Sequence, residues 1–419
     1  MTTTLIQCMM IATVCDLLNP TSVQEALSSE HGVEWKRAMD TEYASLMENQ
    51  TWDLVPRPSS TKNKPVNILT SLWILVLKRN EKGIIERHKA RLAIKRYPQK
   101  YGLDYLETYS PVVRIESVRL VLLLALRLGL ECRHVDFVTA FLNGVLCGMD
   151  IYMEQPRVCK LLKGIYGLNQ VSRIWNNTLH KHLIMIGFKY KIYLTVYVDD
   201  IVIAADPRDI VKVKFRLKDL GRVKHLLGIE INYKPGKLLC ISQTAYLERM
   251  LAKCGLAEAK PVRSPQFHNE RTLPIEKDLK LVSDAAVPFR EMVGPLQYLV
   301  NCIRPDLANA VRTLGRYGSA YTKENFRQAQ SVMRYPGGTK HFGLVYRFSN
   351  APEGDHAGCP ETSKSVTGWG LRLNGNVWHW QSKKQSTVAD DTCASELIAA
   401  HKCTKEIKWA QKMLRNLGI

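Results

Sequence analysis

The sequence predicts a mixed α/β (α+β) chain of several domains. Three observations predict it. Stretches whose apolar residues recur at helical spacing alternate with short β-rich apolar runs. The chain has 419 residues, which at ~150 residues per domain suggests two or three domains. Its hydrophobic content of 46% is enough to build real cores, which excludes wholesale disorder.

Residues 1–30 are weakly patterned. Trp35, Met39, Tyr43, Leu46 and Met47 recur at helical spacing and predict an amphipathic helix ending before a strand signal at Thr51-Trp52. Pro56 to Pro65 reads as a loop. Leu69 to Leu77 is strand-like, and Asn80-Glu81-Lys82-Gly83 reads as a hairpin turn before Ile84-Ile85. Arg119 to Leu130 predicts a buried helix. Ile192 to Ala205 is an apolar run interrupted by Asp199-Asp200. Residues 252–290 lack strong periodicity and read as a joint, with a second unit starting near Phe289.

Composition narrows the function classes. Lys+Arg at 59 against Asp+Glu at 39 leaves a net charge of +20, which favours a polyanionic partner over a merely basic surface. The eleven cysteines are scattered with no C-x-x-C pair, which argues against zinc knuckles and thioredoxin-type sites and predicts free thiols. The most apolar run, Leu120 to Leu126, is bounded by Arg119 and Arg127, whereas a membrane span needs about 20 residues. No membrane association is expected.

The most informative segment is Tyr193 to Ala205. Two β-rich arms flank Asp199 and Asp200, which therefore sit at or beside a tight turn. Adjacent anions repel, so a cation should hold them, and a hard divalent ion such as magnesium fits carboxylate oxygens best. The plain alternative is an ordinary Asp-Asp surface turn. Upstream, Asp136 lies between Val135 and Phe137 and leads into Ala140-Phe141-Leu142-Asn143-Gly144. A lone Asp after a strand is often a helix N-cap. Joined with Asp199 and Asp200, it completes the three-carboxylate set of two-metal phosphoryl transfer, in which one ion activates a 3′ hydroxyl and the other stabilises leaving pyrophosphate. Residues 78–100 supply the complement, a basic stripe from Lys78 through Arg87, Lys89 and Arg91 to Lys100. It would grip template phosphates or a nucleoside triphosphate; otherwise it is a solvated hairpin face.

A series of motifs in fixed order then identifies a family. They include Arg87-His-Lys-Ala-Arg-Leu92, Gly102-Leu-Asp-Tyr-Leu-Glu-Thr-Tyr-Ser-Pro111, Val135-Asp136, Ala140-Phe-Leu-Asn-Gly144 and Tyr166-Gly-Leu-Asn-Gln170. Tyr197-Val-Asp-Asp200, Lys218-Asp-Leu-Gly221, Leu227-Gly-Ile-Glu-Ile231 and Arg304-Pro-Asp-Leu307 continue the series. The chain resembles the reverse transcriptase and ribonuclease H region of copia-type LTR retrotransposon Pol polyproteins. The resemblance implies a right-hand polymerase of fingers, palm and thumb over 31–255, a linker and connection over 256–345, and an incomplete ribonuclease-H-like α/β domain over 346–419. It implies RNA-directed DNA synthesis on an RNA or DNA template with a primer, from deoxynucleoside triphosphates, with two Mg2+ (or Mn2+) ions. It further implies an intracellular setting, cytoplasmic or nuclear.

By the same resemblance Asp136, Asp199 and Asp200 are the catalytic metal ligands. Phe141 falls beneath the incoming sugar, where a ring would exclude a 2′ hydroxyl; alternatively it is a plain core phenylalanine. Lys89, Arg91, Gln170 and Arg173 fall in the segments that contact or support nucleotide and template. Glu353, Asp355 and Glu396 are the remnant of the nuclease acids.

Departures from the family pattern predict a degenerate enzyme. The segments after Pro156, before Val196 and after Asp206 are shortened, which should leave a palm edge unpaired or shift Asp199 and Asp200 against Asp136. A misplacement of ~1 Å can cost ~100-fold in rate. Glu353 stands for an aspartate, Ala394 for a glutamate, and the chain stops at Ile419 before further acids, so ribonuclease H activity is expected to be lost. Pro336 should break or end a helix, and Arg96 in place of a glycine should disturb the fingers. The competing expectation is a nucleic-acid-binding relic without catalysis. A second copy or partner chain is left open.

Overall fold

The structure is a computed structural model that describes residues 19–61, 65–79, 85–111, 113–137, 139–154, 157–186, 192–197, 200–206, 208, 217–265, 289–318, 321–347, 366–373, 375–385 and 392–418. It is a mixed α/β structure. The turn expected at Asn80 to Gly83 lies outside the described residues, as do Asp199, Glu353 and Asp355.

The chain begins with helices α1 (Val23–Ser28) and α2 (Gly32–Glu48). Trp35 and Met39, four apart on α2, form one apolar face and pack on Leu75, Leu77 and Ala90. Next come β1 (Trp52–Leu54) and the long strands β2 (Ile68–Arg79) and β3 (Ile85–Ile94), then α3 (Ile115–Leu128) and β4 (Glu131–Phe137). After β5 (Tyr152–Glu154), β6 (Val158–Leu161) and α4 (Val171–Ile186), the pair β7 (Tyr193–Tyr197) and β8 (Asp200–Ala205) precedes β9 (Leu217–Arg222). The first sheet has the order β1-β6-β5-β2-β3 and the second β7-β8-β4-β9.

Strands β10 (His225–Leu226), β11 (Ile229–Lys234) and β12 (Leu238–Ser242) lead into α5 (Thr244–Lys253), α6 (Phe289–Cys302), α7 (Ala308–Gly315) and α8 (Lys323–Gly338). Then β13 (Leu344–Tyr346) returns to pair with β12, so the expected boundary at 345–346 falls inside a strand. Likewise α5 shares one core with α6, α7 and α8, through Leu247 and Leu251 against Phe289, Val311 and Met333. The chain closes with the hairpin β14 (Val366–Leu373) and β15 (Asn376–Lys384) and the long α9 (Thr392–Asn416).

Helix α3 is apolar nearly all round because it is covered nearly all round. It packs on Val202 and Ala204 of β8, Leu239 and Ile241 of β12, Trp378 of β15 and Ala410 of α9. Each buried leucine from Leu120 to Leu126 contributes about 1.5–3 kcal/mol relative to exposure. The helix stops at Leu128, short of the expected Leu130, because Gly129 takes a left-handed φ of +65° and hands its N–H to Leu126.

Two expected insults are absorbed. Helix α8 continues through Pro336 to Gly338, and the Thr339 N–H returns to the Pro336 carbonyl, so the proline shapes the last turn and does not break the helix. Arg96 is exposed in a turn closed by Gln99 N–H donating to its carbonyl, and its backbone avoids the left-handed region that would require glycine.

Candidate functional site

Strand alternation builds the site. On β4, Val135 and Phe137 point to the face covered by α4, where Phe137 meets Trp175 edge-on at 4.6 Å. Cys132, His134 and Asp136 therefore share the opposite face, the one that α3 covers. On β8, Ile201, Ile203 and Ala205 join Val135 and Phe137, which leaves Asp200, Val202 and Ala204 with Asp136. Burial at the covered end pushes the Cys132 thiol up to about 12. Towards the other end polar residues take over, and the Asp200 side chain is 39% exposed.

Register settles which acids meet. Asp136 lies directly opposite Asp200 in the antiparallel β4–β8 pairing, and the neighbouring pairs Val135–Ile201 and His134–Val202 run without a break. Directly opposed residues bring their Cβ atoms to about 4.5–5.5 Å on one face. On the other side of β4, Lys218 of β9 is paired with Asp136. The His134 ring nitrogen Nε2 approaches Asp200 Oδ1 at 3.3 Å. Two carboxylates thus stand side by side, with Lys218 and His134 as neighbours. The sequence signals an acidic set but not these two partners.

A cleft of about 640 Å³ opens from Asp136 towards the first sheet. Arg37 and Glu42 of α2, Lys89 and Arg91 of β3, Phe141 and Lys218 line it. The Arg91 guanidinium sits 4.4 Å above the centre of the Tyr166 ring, and Phe141 meets the same ring edge-on at 4.9 Å. Phe141 thus lines the cleft and also packs against the cores beneath both sheets. Burial raises the Glu42 carboxyl above its ordinary range, against the pull of Arg91 and Lys89. Lys89, Arg91 and Phe141 thus share one cleft with Asp136.

Gln170 and Arg173 do not join them. They line a separate cavity of about 290 Å³ with Tyr105, Glu107 and Met149. Gln170 donates through Nε2 to the Asp104 carbonyl at 2.8 Å, while Arg173 pairs with Glu107 and donates to the Tyr109 carbonyl at 3.1 Å. Glu396 is exposed on α9. Among the described residues, no group of three or more His, Cys, Asp or Glu is placed to hold a metal ion, and no helix is long and apolar enough to cross a membrane.

The model of the reverse transcriptase (RNA-dependent DNA polymerase) family matches residues 49–268, a stretch that contains both aspartate strands and the basic hairpin. The chain belongs to that family. The Pol polyprotein of transposon RE1 from Arabidopsis thaliana is 34% identical over 96% of this chain and 29% of its own length. That of transposon TNT 1-94 from Nicotiana tabacum is 33% identical over 97% of this chain and 33% of its own length. The resemblance to copia-type retrotransposon reverse transcriptases therefore holds over most of the chain, although the chain spans about a third or less of these relatives. A solved foamy viral protease–reverse transcriptase, in complex with double-stranded DNA, matches at a TM-score of 0.46 and 12% identity over 89% of this chain and 60% of its own.

Proposed function

We propose that this chain performs template-directed nucleotidyl transfer, extending a primer on an RNA or DNA template from deoxynucleoside triphosphates. The observation that carries the reading is the register that sets Asp136 opposite Asp200 at the mouth of a basic cleft. In this reading the second sheet is the palm, the β2–β3 hairpin with α2 the fingers, and the sheet β10-β11-β12-β13 with α5 to α8 the thumb and connection.

Hard oxygen donors side by side suit Mg2+ or Mn2+, so Asp136 and Asp200, with Asp199 beside them in sequence, would hold two ions. Such ions supply activation of the primer 3′ hydroxyl and charge neutralisation at the leaving pyrophosphate. The chain's own residues do the rest. Lys89 and Arg91 face the same cleft and bind triphosphate or template phosphate. Phe141, braced by Tyr166, presents an edge that a 2′ hydroxyl would meet, and so favours deoxyribose. Gln170 and Arg173 act behind the cleft, holding the segments around Asp104 and Tyr109. The nuclease unit is proposed to be degenerate, since Glu353 and Ala394 stand where the family carries aspartate and glutamate.

One observation favours the rival reading, a nucleic-acid-binding relic. His134 already engages the Asp200 oxygen that an ion would take. Primer extension with deoxynucleotides and Mg2+ separates the two. Incorporation that disappears in Asp200→Asn supports the polymerase. Salt-sensitive duplex binding without incorporation supports the relic.

A further inference from the structure

We propose that the loop from Lys95 to Tyr109 is a base-stacking surface for an unpaired nucleic-acid strand, the template ahead of the primer end. Naming that strand the template rests on the polymerase reading. The stacking surface itself rests on the loop.

The loop is built inside out. Tyr97, Tyr101 and Tyr109 are 83%, 73% and 75% exposed, although tyrosine rings ordinarily bury most of their apolar area. Its buried residues are polar instead. Gln99 donates to the Gly167 carbonyl at 2.8 Å and accepts the Asn169 N–H at 2.9 Å. Asp104 accepts from the Lys100 N–H at 2.7 Å and from Asn67 at 2.6 Å. These bonds fix the backbone, so the rings are held in water by a rigid support. The Tyr101 ring is further set by an edge contact with Tyr105, with centroids 5.9 Å apart.

Charge selects the occupant. Arg96 and Lys100 are exposed on the same loop, and the loop continues directly from the strand that carries Lys89 and Arg91 into the cleft. Exposed rings interleaved with cations are the chemistry of single-strand binding, in which bases stack and phosphates are neutralised.

The test uses the full chain and three fluorescent probes: a blunt duplex, the same duplex with a ten-thymidine 5′ overhang, and the same duplex with an abasic overhang of equal length. The thymidine overhang should bind about tenfold or more tighter than the abasic one. Tyr97→Ala/Tyr101→Ala/Tyr109→Ala should erase that preference while leaving blunt-duplex affinity and the thermal midpoint unchanged. The corresponding phenylalanine variant should keep it. Equal affinity for the two overhangs overturns the proposal, as does an alanine variant that retains the preference or a chain that binds none of the probes. Primer extension in the same preparation keeps the two claims apart. Overhang preference without extension would overturn the polymerase reading and leave the stacking surface standing.

Discussion

Two clusters of ionisable groups, one in the cleft and one in the seam beneath α3, use charge in opposite ways. In the seam, Arg119 is 2% exposed, and its guanidinium donates to the carbonyls of Trp378, Asn301 and Cys302 while stacking 4.0 Å from the Trp380 ring centre. His379 lies beside it, with ring nitrogens 3.7 Å from Glu116 and 3.4 Å from Glu406. The seam partners come from α3, α6, β15 and α9, so the charge ties the second sheet's helix to α6, the C-terminal hairpin and α9. In the cleft, Asp136, Lys89 and Arg91 line one space from separate elements, and Asp200 lies opposite Asp136 at its edge. Buried charge tied to backbone carbonyls holds a fold together, whereas charge around a space is arranged for something that enters it.

The contrast can be broken most sharply at the acids. On the polymerase reading, Asp136→Asn and Asp200→Asn should each lower single-turnover nucleotide incorporation by more than about 100-fold, because each would remove a ligand charge from one shared centre. The double variant should be little worse than either single one, since the groups act as a unit. Wild-type rates in either variant would break the pairing of roles.

Arg119→Leu comes next and should act on stability alone. It strands three carbonyls that Arg119 bonds, and removing one partner of a buried charged contact costs about 3–5 kcal/mol. The unfolding free energy from chemical denaturation should fall by that amount. Loss of nucleic-acid binding at full folding would contradict a purely structural role.

Smaller pH effects distinguish the two regions by sign. Burial holds His379 below its ordinary value near 6.5, even with Glu116 and Glu406 beside it. The unfolded chain therefore takes up the proton first. The contribution of His379 is present above pH 6.5 and is lost as pH falls through its folded value. Glu42 runs the other way. Burial raises its carboxyl above the ordinary 4.5, so its contribution is present below that value and is lost as pH rises through the folded value. Accordingly His379→Gln should flatten the acid limb of stability against pH. Glu42→Gln should stabilise modestly at neutral pH, with the gain fading in acid. Denaturation midpoints across that range check both.

Much of the site was legible in the sequence, for reasons that can be named. Alternation around Asp136 and the apolar arms around Asp199-Asp200 are local signals, and two such strands have few ways to pair with their apolar faces aligned. What could not be read is long-range. Nothing near Lys218 says that its strand lies against β4, so the cation beside Asp136 was missed. Arg119 looked like the boundary of an apolar helix, yet it is buried because its three acceptors are supplied by residues distant in the chain. Gln170 and Arg173 were grouped with the nucleotide contacts by motif order, whereas the packing of Asp104 and Tyr109 draws them behind the cleft. The pairing of Asp136 with Asp200 closes an unbroken β4–β8 ladder that starts at Glu131 and Ala205, a long-range register that no local motif spells out.

Electron paramagnetic resonance of Mn2+ bound to the full chain on a primer–template asks directly whether the paired acids hold ions. Occupancy in the wild type that disappears in Asp136→Asn/Asp200→Asn, with the circular dichroism unchanged, is the expected result. Equal Mn2+ occupancy in the two proteins would contradict the account.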